Sequence, residues 1–195
     1  PLLWEKAQVE RVDTTGILIH VTGQVPGNPA VMLAHYDVVP AHADAWEKPP
    51  FAGVLEDGVL WGRGALDMKN QLCAMLEAAE TLLEQGFVPK HDIYFALSGE
   101  EEIMGASAKS IRDLFVERNI TPAFVLDEGG DIMDGFFPGT TVPCAMVGIG
   151  EKGAANLVFT AKSQGGHASV PNANNPLPRL CRAMERVRKH PFPIR

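Results

Sequence analysis

The sequence holds one imidazole and three carboxylates, on His35, Asp67, Glu102 and Asp127, where a strand or a glycine-punctuated turn gives way to a new element. They are hard or borderline donors of the kind that zinc, cobalt and manganese accept. Two-metal chemistry needs one bridging carboxylate, private ligands for each ion and a water between them. Asp67, inside Leu60–Asn70 (LWGRGALDMKN), reads as the bridge. Charge supports this: three carboxylates and one hydroxide balance two divalent cations. Without metal, the same groups crowded together would repel and take up protons. Two ions call for about four private ligands. The sequence supplies His35, Glu102 and Asp127, so a further ligand is expected outside these 195 residues.

Glu101 and Glu102 are adjacent and cannot both face one atom. One can hold metal while the other takes a proton from water as general base. Asp37, two residues after His35, suits the role of holding the imidazole's other N–H. Taken singly, Asp67 is also a preferred helix cap, Asp37 a turn cap, and Glu100–Glu102 a solvated acidic helix start. Spacing alone leaves both readings open.

These groups need elements to position them. Ala30–Ala34 is a continuous apolar run, the mark of a buried strand, and it delivers His35 and Asp37 to one side. Asp92–Leu97 is a second such run and leads into Glu100–Glu102; Pro122–Leu126 is a third and leads into Asp127. Cys144–Ile149 is a fourth strand candidate. After Asp67, apolar residues at Leu72, Met75, Leu76, Ala79, Leu82 and Leu83 form one helical face, which Gly86 ends. Asp67 is therefore expected at a helix N-terminus. A second helix is expected near 106–118, with Ile111, Leu114 and Phe115 inward. Gln8–Asp13 with Ile17–Thr22, and Val54–Leu55 with Val59–Trp61, read as hairpins.

Strands alternating with helices predict an α/β fold, a mainly parallel sheet flanked by helices, with the strand ends sharing one rim. The glycines of Gly148–Gly153 read as a hinge. The expected division is a catalytic metal-binding domain over 1–150 and the beginning of a second domain over 151–195. There, 152–162 reads as a strand, His167 sits in a polar loop, and a helix runs over 178–189.

The net charge of −7, without basic runs, argues against nucleic acid, and no apolar stretch is long enough to span a bilayer. Cys73, Cys144 and Cys181 are odd in number and widely spaced. They read as free thiols, Cys73 buried in its helix, and point to a reducing, cytoplasmic setting. The chain starts at Pro1 and stops just after a helix, and reads as a piece of a longer protein.

Five motifs then carry a resemblance: HYDVVP at His35–Pro40, WGRGALDMKN at Trp61–Asn70, SGEEEIMG at Ser98–Gly105, LDEGG at Leu126–Gly130 and GGHASVP at Gly165–Pro171. In order and spacing, over about Ala30–Pro171, the chain resembles the co-catalytic zinc metallopeptidases of the glutamate carboxypeptidase, aminoacylase and carboxypeptidase-S type. LDEGG is most similar to the carboxypeptidase-S and N-acyl-amino-acid hydrolase branch. The resemblance implies two zinc ions, with cobalt or manganese as substitutes. It implies His35 and Asp127 on one zinc, Glu102 on the other, Asp67 bridging through a cis peptide to Met68, Glu101 as general base and Asp37 orienting His35. It makes 151–195 the start of an α+β lid, through which the full protein would form a homodimer, and His167 a substrate-binding residue. The implied substrate is a dipeptide or an N-acyl amino acid, cleaved at the amide beside a free carboxylate. The last zinc ligand and most of the lid fall outside the chain, so the alternative is a truncated member that binds metal or a partner without hydrolysis.

Two rival chemistries fare worse. Gly148–Gly153 matches GxGxxG, but that fingerprint needs a helix directly after it, and the following residues read as strand. No GxSxG elbow occurs, so serine hydrolysis lacks its turn.

Overall fold

Strands β2 (Gly16–Val21) and β6 (Ile93–Ser98) pair antiparallel, with Ile19 opposite Phe95 and Ile17 opposite Leu97. Side chains alternate between the faces of a sheet. Ile19, Val21, Phe95 and Leu97 therefore enter one core, and Leu18, Tyr94 and Ala96 another. Each core has its own helix: Leu83 of α2 (Asn70–Glu84) closes the first, and Ile111 and Phe115 of α3 (Ser107–Glu117) close the second. The sheet is thus covered by helices on opposite faces.

This computed structural model describes residues 1–150, 156–167, 169–170 and 175–191. With β1 (Gln8–Val12), β3 (Ala30–His35) and β7 (Phe124–Leu126), the sheet has the order β1-β2-β6-β3-β7. Strand β3 is parallel to both β6 and β7, while β1 and β2 form an antiparallel hairpin. Only β2 opposes the other strands, so the sheet is mainly parallel, as the sequence predicts. Because β3 lies between β6 and β7, the carboxyl ends of all three meet on one rim.

Helix α2 follows the expected stripe, with Leu72, Met75, Leu76 and Ala79 packed on the first core. Gly86 adopts φ +78°, and the Phe87 N–H returns to the Leu82 carbonyl at 2.9 Å, which closes the helix. The second hairpin forms between β4 (Val54–Glu56) and β5 (Val59–Trp61).

Several expectations change. A short helix, α1 (Leu2–Lys6), precedes β1; the Glu80 carboxylate of α2 accepts the N–H groups of Leu2 and Leu3, so a distant residue supplies the cap. Helix α2 begins at Asn70, and Asp67 lies before it at φ −116°, ψ 98°, with no side-chain cap bond. Cys73 is exposed, because the stripe that faces the sheet passes beside it. The fourth strand is only β9 (Cys144–Ala145), paired in a two-stranded ribbon with β8 (Ile132–Met133) and not with the main sheet.

The chain forms two compact units, Pro1–Val147 and Gly148–Arg195. In the second, residues 156–162 form no strand, and 152–155 of that expected strand lie outside the described residues, as do 151–153 of the glycine hinge. Its helix α4 (Pro176–Lys189) starts at Asn175, whose side chain accepts the Leu177 N–H at 3.0 Å, with proline in the first turn. Among the described residues no helix is long and apolar enough to cross a membrane.

Candidate metal centre

His35 is the last residue of β3 and is buried. Its Nδ1 is 3.2 Å from the Asp37 carbonyl and 3.4 Å from Asp37 Oδ1. A carbonyl can only accept, so Nδ1 carries a proton, which leaves Nε2 as the ring nitrogen that a metal could take. Nε2 lies 2.9 Å from Asp67 Oδ1 and 3.5 Å from Glu128 Oε2. Ligand atoms of His35, Asp67 and Glu128 all fall within 4.8 Å of one another.

Asp67 reaches this place from an irregular segment, Ala65–Lys69. Gly64 at φ +81° turns the chain into it, and the Lys69 N–H closes it on the Gly64 carbonyl at 3.0 Å. The Asp67–Met68 peptide is cis. Met68 is buried in the first core, and its sulfur accepts the His35 N–H at 3.1 Å. A buried anchor thus presents an exposed carboxylate.

Asp37 joins two strand ends. Its Oδ1 accepts the Glu101 N–H at 3.1 Å and its Oδ2 accepts the Glu102 N–H at 3.0 Å. The turn carrying these glutamates is closed from below as well. Ser98 and Ser107 share a buried hydrogen bond of 2.7 Å, and Glu100 Oε2 accepts the Ala106 N–H at 3.0 Å. Gly99 is needed here, since a Cβ would sit 2.6 Å from the Tyr36 ring.

Of the residues singled out in the sequence, His35, Asp37, Asp67, Glu101 and Glu102 are linked around one rim. The group of three ligand atoms contains neither Glu102 nor Asp127. Asp127 Oδ1 instead accepts the Glu128 N–H at 2.8 Å, and its carbonyl accepts from Gln71 Nε2 at 3.3 Å. Glu128, which the sequence reading passed over, stands by His35. The signal was present: Asp127-Glu128 is an acidic pair ending a strand, with the same ambiguity as Glu101-Glu102. His167 lies in the second unit, where Nδ1 accepts the Ser169 N–H at 3.3 Å and lies 2.7 Å from Ser169 Oγ.

The titratable groups of the site perturb one another. Burial raises the carboxyl of Glu101, and the neighbouring Glu102, Asp37 and Asp67 add to the rise against an opposing pull from His35. Burial likewise raises Glu128, with Asp67, Glu101 and Asp127 contributing. Burial opposes a charged His35, but Asp67, Glu128, the Asp37 carbonyl and Glu101 outweigh it and hold the imidazole above its ordinary value. Anionic groups that raise one another in this way are stabilised by a bound cation. An imidazole nitrogen with carboxylate oxygens suits a divalent transition ion.

A mainly parallel α/β sheet with a histidine–carboxylate cluster on its carboxyl rim defines the class: an α/β protein with a candidate divalent-metal centre. The chain belongs to Peptidase family M20/M25/M40, which matches residues 31–190. It is 38% identical over 188 residues to the N-fatty-acyl-amino acid synthase/hydrolase PM20D1 of Homo sapiens, covering 96% of this chain and 38% of that protein. It is 34% identical over 183 residues to carboxypeptidase S of Saccharomyces cerevisiae, covering 88% of this chain and 31% of the relative. The chain therefore spans only about a third of the length of these relatives. Among solved structures, the M20 family metallo-carboxypeptidase Sso-CP2 from Sulfolobus solfataricus is similar over 65% of this chain and 29% of its own, with TM-score 0.54 and 25% identity. Human carnosine dipeptidase 1 shares the fold, at TM-score 0.58 and 22% identity over 67% of this chain and 31% of its own.

Proposed function

We propose that this chain carries most of the metal centre of a zinc-dependent amide hydrolase. The observation that carries the reading is the meeting of His35 Nε2 with carboxylate oxygens of Asp67 and Glu128 on the carboxyl rim. His35, Asp67, Glu102 and Asp127 would hold two zinc ions, Asp67 between them, with Glu128 beside His35. Bound zinc would supply a Lewis acid for the amide carbonyl and lower the pKa of a water.

The residues of the chain do the rest. Glu101 takes the proton of the attacking water and returns it to the leaving amine nitrogen. Asp37 fixes both His35 and the backbone that carries Glu101 and Glu102. The substrate would be an amide beside a free carboxylate, a dipeptide or an N-acyl amino acid. The activities in the names of the relatives, an N-fatty-acyl-amino acid synthase/hydrolase and a carboxypeptidase, support that class. Residues 151–195 would begin the lid that pairs two subunits, bringing His167 to the substrate. The free thiols Cys73, Cys144 and Cys181 support a reducing, cytoplasmic compartment.

The test is zinc per chain after reconstitution and desalting, on this chain and on Asp67→Ala. Near two ions, falling sharply in the variant, is expected. A polypeptide of the relatives' full length should then hydrolyse N-acyl amino acids. Zinc uptake without hydrolysis by that longer form would favour a binding role, and equal uptake by the variant would remove Asp67 from the centre.

A further inference from the structure

Asp67 is the most exposed member of the three-residue cluster, and the segment that carries it is not helical. Something must set its distance to His35. Met68 anchors one side. The other side is Lys69, whose backbone N–H binds the Gly64 carbonyl and whose Nζ donates to the Tyr36 carbonyl at 2.7 Å. Tyr36 is itself held firmly: its N–H binds the Ser98 carbonyl at 2.8 Å, and its hydroxyl donates to the Thr15 carbonyl at 2.6 Å. It also lies between His35 and Asp37 in the chain.

We infer that Lys69 is a positioning residue, an ammonium tether that registers the Asp67 segment on the end of β3 and so sets Asp67 against His35. The assignment of a role toward zinc rests on the metal reading above; the tether itself does not. The donor is half-buried and its acceptor is neutral backbone. The passage is narrow. A Cβ on Gly64 would lie 3.1 Å from Nζ and would overlap Val38, so the glycine leaves room for the lysine stem.

Lys69→Met keeps the stem and removes the donor. Zinc affinity is measured by competition with a chromophoric chelator, beside wild type and Asp67→Ala. The expected result is binding weaker by about tenfold or more, with the melting temperature of the metal-free chain within about two degrees of wild type. Wild-type affinity in Lys69→Met overturns the inference. If wild type takes up no zinc, the tether is judged in the metal-free chain by the His35 Nε2 nitrogen shift. A shift that moves in Lys69→Met supports it; an unmoved shift overturns it. If that variant does not fold, Lys69→Gln, too short to reach Tyr36, is read by the same two measurements.

Discussion

Asp37 receives the backbone N–H of Glu101 on one carboxylate oxygen and that of Glu102 on the other, at 3.1 and 3.0 Å. Two residues 64 and 65 positions away are thereby placed by a side chain at the end of β3. Asp37→Asn sets an amide NH2 against one of those N–H groups. In a polypeptide of the relatives' full length, any turnover should fall about 10- to 100-fold while zinc content stays near wild type. Steady-state kinetics beside elemental analysis checks both, and unchanged turnover would remove Asp37 from the positioning role.

Glu101→Gln keeps size and backbone contacts but cannot take a proton. Zinc content should be preserved and turnover should drop by about 10²- to 10⁴-fold. Retention of full activity in this variant sinks the assignment of Glu101 as general base.

Asp127 and Glu128 are adjacent, and Glu128 is the one that stands beside His35. The structure turns Asp127 toward the Glu128 N–H and Glu128 toward His35. The proposed ligand set requires Asp127 to leave the Glu128 N–H for the metal. Asp127→Asn should then lose more zinc than Glu128→Gln. The opposite order, read by zinc per chain, would transfer the ligand role to Glu128.

Protons and zinc compete for the same atoms. His35 is raised above the ordinary histidine value of 6.5, and Glu101 and Glu128 above the ordinary 4.5. In each case the folded, metal-free chain holds a proton that the unfolded chain releases more readily. The stability this confers is fully present below the ordinary value and is lost as pH rises through the folded one. Zinc must displace the proton from His35 Nε2. Its affinity should fall as pH is lowered from about 8 to about 6, measured by chelator competition. An affinity flat over that range would exclude His35 as a ligand.

Gly99→Ala tests the packing under the glutamates. The added methyl meets the Tyr36 ring, which its hydroxyl bond to Thr15 prevents from swinging freely. A loss of about 1–3 kcal/mol is expected from overpacking, read by denaturant unfolding. A stability equal to wild type would mean that Tyr36 can yield.

Much of this was legible in the residue order, because the signals are local. The apolar run before His35, the stripe from Leu72 to Leu83 and the turn at Asp57-Gly58 each follow from a period or a punctuating residue. They sufficed to place His35, Glu101, Glu102 and Asp127 at the ends of strands. The short pairing of Cys144 only with Met133, and the capping of α1 by Glu80, were not legible, because both depend on partners far along the chain.

By itself the sequence determined an α/β chain and the three strand ends that carry acid or histidine. Only the tertiary structure decided that β3 lies between β6 and β7, that Asp67 stands outside the helix after it, and that Glu128 turns to His35. Periodicity tells which face a side chain takes on its own element. Which strand lies beside which, and which of two adjacent carboxylates turns inward, is settled by packing and hydrogen bonds between elements distant in sequence.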